Sequence, residues 1–288
     1  MQAGYIPVTG GKVWYEAIQF GNGIPLLTLH GGPGTPHDYL EPLAKLANDR
    51  PVIFYDQLGC GKSERPINKN LWNRSRFVEE LSQVIAALGL FQFHLFGHSW
   101  GSMLAIDFAL TKPIGLMSLI LASPALSIPR WMQDMYKYRS NLSPKTQRIL
   151  QEHESNGSTD SDAYQHAAMK FYEKHLCRCR PWPNALKQAM TKEGSEVYEA
   201  MWGPSEFYIT GNLLDYDSTS QLSEINIPTL FTCGRYDEAT PDAASWYHSL
   251  LPKSEIAIFE HSAHMAHLEE TSHYIQVVRD FIRKVECK

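Results

Sequence analysis

Apolar and polar positions along this chain alternate between two periods. Residues 5–20 read as an antiparallel hairpin: Tyr5-Ile6-Pro7-Val8, a Gly10-Gly11 turn, then Lys12-Val13-Trp14-Tyr15-Glu16-Ala17. Pro25–Leu29 and Pro51–Asp56 are short continuous apolar runs, the pattern of strands buried on both faces. From Leu71 to Leu88 the period lengthens, and Phe77, Leu81, Val84, Ile85 and Leu88 share one helical face. Phe93-His94-Leu95-Phe96 is another apolar run; it breaks at Gly97-X-Ser99-X-Gly101 and continues as a helix over Met103–Leu110. Leu116–Ser123 is the next strand. The character changes near residue 125, where helical segments rich in Trp, Tyr and Met begin: Trp131–Tyr136, Ala163–Tyr172 and Glu196–Trp202, with a polar loop over Ser155–Asp160. Strand patterning resumes near residue 226 with Ile227–Gly234, a helix over Ala243–Leu251, a strand at Ser254–Phe259 and a last helix, Thr271–Val285.

Strands alternating with helices at this spacing predict an α/β fold, a mostly parallel sheet covered on both faces. Residues 1–124 and 226–288 make the core domain and 125–225 an inserted helical cap, most of whose aromatics are expected to fill a small core of their own. In such sheets ligands bind at the carboxyl ends of the strands. His30-Gly31-Gly32, Ser99 and Ser123-Pro124 all fall there.

Composition narrows the partners. With 288 residues, 43% of them hydrophobic, the chain can bury a large core. A net charge of -5 gives no basic field, which argues against nucleic acid and anionic membrane. The N-terminus lacks the basic and apolar regions of a signal peptide, and no apolar run reaches the ~20 residues of a bilayer span. Five cysteines, an odd number without framework spacing, fit a reducing compartment, so a cytoplasmic protein is expected. Cys177-Arg178-Cys179 is a C-x-C pair with no second pair nearby, and His261, His264 and His267 belong to one loop; neither is assigned a metal.

The strand break at Gly97-His98-Ser99-Trp100-Gly101 sets a serine on a sharp turn above the sheet edge. Its glycines leave room where the backbone doubles back, and the helix behind it favours negative charge. A serine hydroxyl needs a base within reach, itself oriented by a carboxylate. In an α/β hydrolase these follow in the order Ser, acid, His. Asp237 directly follows the late strand, and His264 lies in the loop after the last one. His261 is too close to the strand end and His267 enters the helix, so Ser99, Asp237 and His264 are the expected triad. Two backbone amides must face the developing oxyanion: Trp100, after the nucleophile, and Gly32 rather than Gly31 in the first loop. Gly59-Cys60-Gly61-Lys62-Ser63 is a turn and not a P-loop, because Asp56 stands where the first glycine belongs.

At this point the chain resembles the prolyl iminopeptidases, serine aminopeptidases of the α/β-hydrolase fold. The matching pieces are Leu29-His30-Gly31-Gly32-Pro33-Gly34, Tyr55–Ser63, Gly97–Ser102 and Tyr236-Asp237-Glu238-Ala239-Thr240-Pro241. In the cap, Met201-Trp202-Gly203-Pro204-Ser205-Glu206-Phe207 and Thr210-Gly211-Asn212 match too. The resemblance implies that Glu206 and Glu238 hold the free α-amino group of a small-molecule or short-peptide substrate, with no cofactor. Taken without the resemblance, Glu206 caps a helix and Glu238 is a solvated loop residue. The alternatives are an ester, thioester or lactone hydrolase using the same triad, and a ligand receptor that kept the fold and turns over poorly.

Overall fold

The computed structural model describes residues 2–287. Its alternating N-terminal segment is an antiparallel hairpin, β1 (Gln2–Val8) and β2 (Gly11–Ile18). β3 (Leu26–Leu29), β4 (Val52–Tyr55) and β5 (Phe93–His98) are buried at every position, as unalternating apolar runs require. β6 (Leu116–Ala122), β7 (Thr229–Gly234) and β8 (Ser254–Phe259) complete one eight-stranded sheet in the order β1-β2-β4-β3-β5-β6-β7-β8. β2 pairs antiparallel with β1 and β4, and every later neighbour is parallel. This is the α/β-hydrolase sheet.

Helix boundaries depart from the periodicity where capping decides them. α1 (Arg74–Ala87) starts after Leu71, because the Asn73 side chain accepts the Arg76 amide and Lys69–Leu71 is a separate 3-10 turn. α2 (Trp100–Leu110) starts directly behind Ser99, three residues before the expected Met103. Between β6 and β7 lie α3 (Ile128–Ser140), α4 (Pro144–Asn156), α5 (Asp162–His175), α6 (Asn184–Thr191) and α7 (Ser195–Met201). The side chains of Ser127, Ser143 and Ser161 cap the first three. α4 absorbs Ser155 and Asn156, which patterning places in a loop; the turn begins at Gly157, whose φ of 65° suits glycine. α8 (Pro241–Leu250), the short α9 (Ala266–Glu269) and α10 (Thr271–Glu286) follow in the last third.

Alternate strand residues build two cores. Leu27, Leu29, Leu95 and Leu121 pack with Phe77 and Leu81 of α1, Met103 of α2 and Tyr247 of α8. Leu26, Phe54, Phe96 and Ile120 pack with Leu40 and Leu43 of a 3-10 segment, His37–Leu46, and with Tyr274 and Val278 of α10. Trp131, Tyr164, Phe171 and Trp202 of the inserted helices join the first core, so much of the aromatic content is packing. No helix of the described residues is long and apolar enough to cross a membrane.

Candidate active site

Ser99 holds φ 53° and ψ -119°, a strained region for a residue with a side chain. The crowding around it fixes that geometry. A Cβ at Gly97 would overlap the Gly101 carbonyl, and one at Gly101 would overlap the Leu29 carbonyl. The parallel pairing of β5 with β3 therefore needs both glycines to bring the His30-Gly31-Gly32 loop against the serine. A Cβ at Gly31 would stand 3.1 Å from Ser99 Cβ.

Of the two loop amides, Gly31 N–H donates to the Tyr39 hydroxyl at 2.7 Å. Among the described residues the Gly32 and Trp100 amides donate to no protein acceptor. Gly32 has φ 104°, and a Cβ there would lie 2.6 Å from the amide nitrogens of Gly34 and Thr35.

Asp237 and His264 meet as the chain order requires. His264 Nδ1–H donates to Asp237 Oδ1 at 2.7 Å, and both side chains are buried. The same carboxylate accepts the Ala239 amide at 2.8 Å and the Gly234 amide at 3.3 Å, so it is held in one orientation. Because a carboxylate only accepts, Nδ1 carries the proton and Nε2 is left as the basic nitrogen. Ser99 and His264 line one cavity of about 300 Å³. No hydrogen bond joins Ser99 Oγ to His264 in the free protein; such contacts tighten when substrate binds. Of the competing histidines, His261 donates its amide to Glu270 in an exposed turn, and His267 points its Nε2 at the Tyr39 carbonyl from α9.

Glu206 comes from the cap and Glu238 follows Asp237 in the acid loop. Glu238 is 1% exposed, and neither carboxylate oxygen has a hydrogen-bond partner. Its Oε1 is 3.9 Å from His264 Nε2. Burial, followed by the charges of Glu206 and Asp237, pushes its carboxyl well above the ordinary range. Glu206 lines the cavity and accepts the Tyr198 hydroxyl at 2.7 Å. Burial raises its carboxyl to about 7, while the Tyr198 hydrogen bond and His264 pull the other way. Glu206 lines the cavity and keeps part of its surface, so solvent there moderates the effect of burial. Neither residue behaves as a helix cap or a solvated loop side chain.

The cavity wall also carries Asp160, Glu193 and Glu199, and no Lys or Arg among the described residues. Glu193 accepts the Thr35 hydroxyl at 2.9 Å and is raised by burial. The wall attracts cations.

Several supporting groups carry no spacing signal in the sequence, although Ser123 does fall at a strand's carboxyl end. Tyr39 O–H donates to His98 Nδ1 at 2.9 Å, and His98 Nε2–H donates to the His264 carbonyl at 3.0 Å. Ser123 Oγ donates to the same carbonyl at 2.9 Å. Gln57 accepts Trp100 Nε1–H at 2.9 Å and donates to the His30 carbonyl at 3.0 Å. The end of α5 spans the acid and base loops: the His175 carbonyl accepts the amides of both Glu238 and His264, each at 3.2 Å.

A family model described as alpha/beta hydrolase fold matches residues 24–271. A proline iminopeptidase of Heyndrickxia coagulans is 47% identical over 285 residues, covering 98% of this chain and 99% of its own. Among solved structures, VinJ superposes with a TM-score of 0.95 at 34% identity, and a proline iminopeptidase of Mycobacterium smegmatis with 0.92 at 31%, each covering 99% of both chains. Solved esterases at 20% identity share the fold alone. With near-complete coverage at these identities, the chain belongs to the proline iminopeptidase family of α/β hydrolases.

Proposed function

We propose that this protein is a serine aminopeptidase of the proline iminopeptidase type. It releases an N-terminal amino acid, proline or another, from a short peptide or amino-acid amide through an acyl-enzyme. Ser99 Oγ attacks the carbonyl while His264 Nε2 takes its proton and returns it to the leaving amine; water then repeats the cycle on the ester. Asp237 keeps the other imidazole proton on Nδ1 and stabilises the imidazolium. The amides of Gly32 and Trp100 receive the oxyanion. Residues 125–225 act as the cap that closes this space and contributes Glu206.

The observation that carries the substrate class is Glu238. A buried carboxylate with both oxygens unpartnered is costly, and the charge of a second raised carboxyl, Glu206 of the cap, adds to that cost. A cation set between them would restore both charges, and an N-terminal ammonium is the cation an exopeptidase must recognise. An ester, thioester or lactone without an amine gains nothing from this pair, which leaves the alternative hydrolase reading without support. Turnover of prolyl- and alanyl-anilides beside their N-acetylated counterparts tests the assignment. Acetylation should abolish turnover, whereas equal rates for blocked and free substrates would refute it. A fluorophosphonate should label Ser99, and failure to do so would favour a non-hydrolytic receptor.

A further inference from the structure

The C-x-C pair acquires in the folded chain a third donor that lies 90 positions further on. Thiol sulfurs of Cys177 and Cys179 and a carboxylate oxygen of Glu269 all lie within 4.8 Å of one another. All five cysteines of the protein are free thiols. Two thiols and a carboxylate are the donor set of a borderline-soft divalent cation, with water as the fourth ligand of a tetrahedron. Ligand atoms about 2.3 Å from a zinc ion stand roughly 3.8 Å apart. No pair of these donors needs to close by more than about 1 Å to reach that spacing. Cys177 is buried, while Cys179 and Glu269 remain partly open and supply the entry path.

The place of this cluster gives it a consequence. Glu269 Oε2 accepts the Ala263 amide, one residue before His264, at 2.5 Å, and Oε1 accepts the Arg178 amide between the two cysteines. The adjoining strap 175–176 receives the amides of Glu238, His264 and Met265. His175 Nδ1–H donates to the Tyr236 carbonyl beside Asp237 at 2.8 Å, and the Arg178 guanidinium lies 3.7 Å over the Tyr236 ring. The strap thus joins the acid loop to the base loop.

We propose that Cys177, Cys179 and Glu269 form a binding site for a divalent cation of the zinc class, and that its occupation lowers turnover by drawing Glu269 and the strap away from the loop of His264. Binding releases two thiol protons to water as two sulfur–metal bonds form, with no change of oxidation state. The loss of turnover rests on the hydrolase reading above; the binding does not.

The experiment uses the reduced, metal-free full chain titrated with Co2+ and then Zn2+. A thiolate-to-cobalt charge-transfer band should appear at one equivalent and vanish when zinc displaces it. Cys179→Ser should remove the band and weaken zinc binding beyond the ~10–100-fold typical of losing an outer-shell partner. Cys177→Ala, checked for an unchanged melting temperature, should do the same if the serine variant folds poorly. Zinc should reduce aminoacyl-anilide turnover in step with occupancy in the parent protein and leave Cys179→Ser insensitive. A cobalt spectrum without thiolate character, or binding that survives both substitutions, overturns the site. Stoichiometric binding that leaves turnover unchanged overturns the control while sparing the site. A chain inactive on every substrate yet showing the band would indict the hydrolase reading alone.

Discussion

Replacing Glu206 with Gln should raise stability and lower activity together, and the two effects have one electrostatic origin. A carboxyl held at about 7 instead of 4.5 binds its proton more tightly in the folded than in the unfolded chain. Its cost is absent below pH 4.5, grows as pH rises through the window, and is complete above about 7. At 1.36 kcal/mol per pH unit this amounts to at most about 3 kcal/mol by pH 8. Cavity access to Glu206 trims that to roughly 1–2 kcal/mol. The neutral amide carries no such penalty and also relieves Glu238, whose carboxyl Glu206 helps to raise. Urea denaturation at pH 5 and pH 8 should therefore show parent and variant nearly equal at the lower pH and the variant ahead at the higher. Catalysis should move the other way. A hydrogen bond to a charged partner contributes about 1.5–3 kcal/mol, so kcat/KM on a prolyl-anilide should fall about 10–150-fold. The parent's kcat/KM for that substrate should itself climb through pH 7 as Glu206 ionises, a limb the variant lacks. If Glu206→Gln is the less stable protein at pH 8, or keeps the same pH limb, the ammonium-site reasoning is wrong.

Ser99→Gly should be inactive yet more stable than the parent by about 1 kcal/mol in urea, because glycine relieves the φ 53° strain at a smaller entropic cost; a destabilised variant would mean the turn is unstrained. Gly101→Ala should cost about 3 kcal/mol or more, since its Cβ meets the Leu29 carbonyl and backbone cannot step aside, and near-parental melting would count against that contact. Tyr39→Phe strands the Gly31 amide and His98 Nδ1. It should lower kcat while leaving KM for an aminoacyl-anilide unchanged, since neither group faces Glu206 or Glu238, and a pure KM effect would refute the positioning role.

The sheet could be read from the sequence because its central strands are short unalternating apolar runs, buried at every position, and its N-terminal pair alternates about a Gly10-Gly11 turn; β8 falls at its expected Ser254–Phe259. The proposed nucleophile, acid and base each lie within five residues of a strand end, so order along the chain points to them. What stayed hidden is either long-range or weakly periodic. α4 buries only Leu150 and so shows little apolar face. His98 is a turn residue by sequence and becomes a hydrogen-bond bridge only when Tyr39 and the His264 carbonyl arrive from opposite ends of the chain. Cys177-Arg178-Cys179 was two donors short of a tetrahedron until the fold brought in Glu269.

The histidine cluster adds what position along the chain leaves out, the physical difference between a base and its support. His98 stands 4.7 Å from His264 and 5.1 Å from His267, ring centre to ring centre, so three imidazoles share one small volume. Burial, with the neighbouring imidazoles, drives His98 well below its ordinary value and takes His267 to about 3. Burial thus disfavours charge on both rings, which serve as fixed donors and acceptors. In the proposed mechanism a proton taken from Ser99 would stay on His264, the one ring whose far nitrogen faces a buried carboxylate. Glu238, 3.9 Å from the near nitrogen of that ring, could compete for the same proton in the empty site. An ammonium seated between Glu206 and Glu238 would occupy that carboxylate and release Nε2 for the serine. Substrate recognition and activation of the base would then be a single event, and a blocked amine would lose kcat as well as KM.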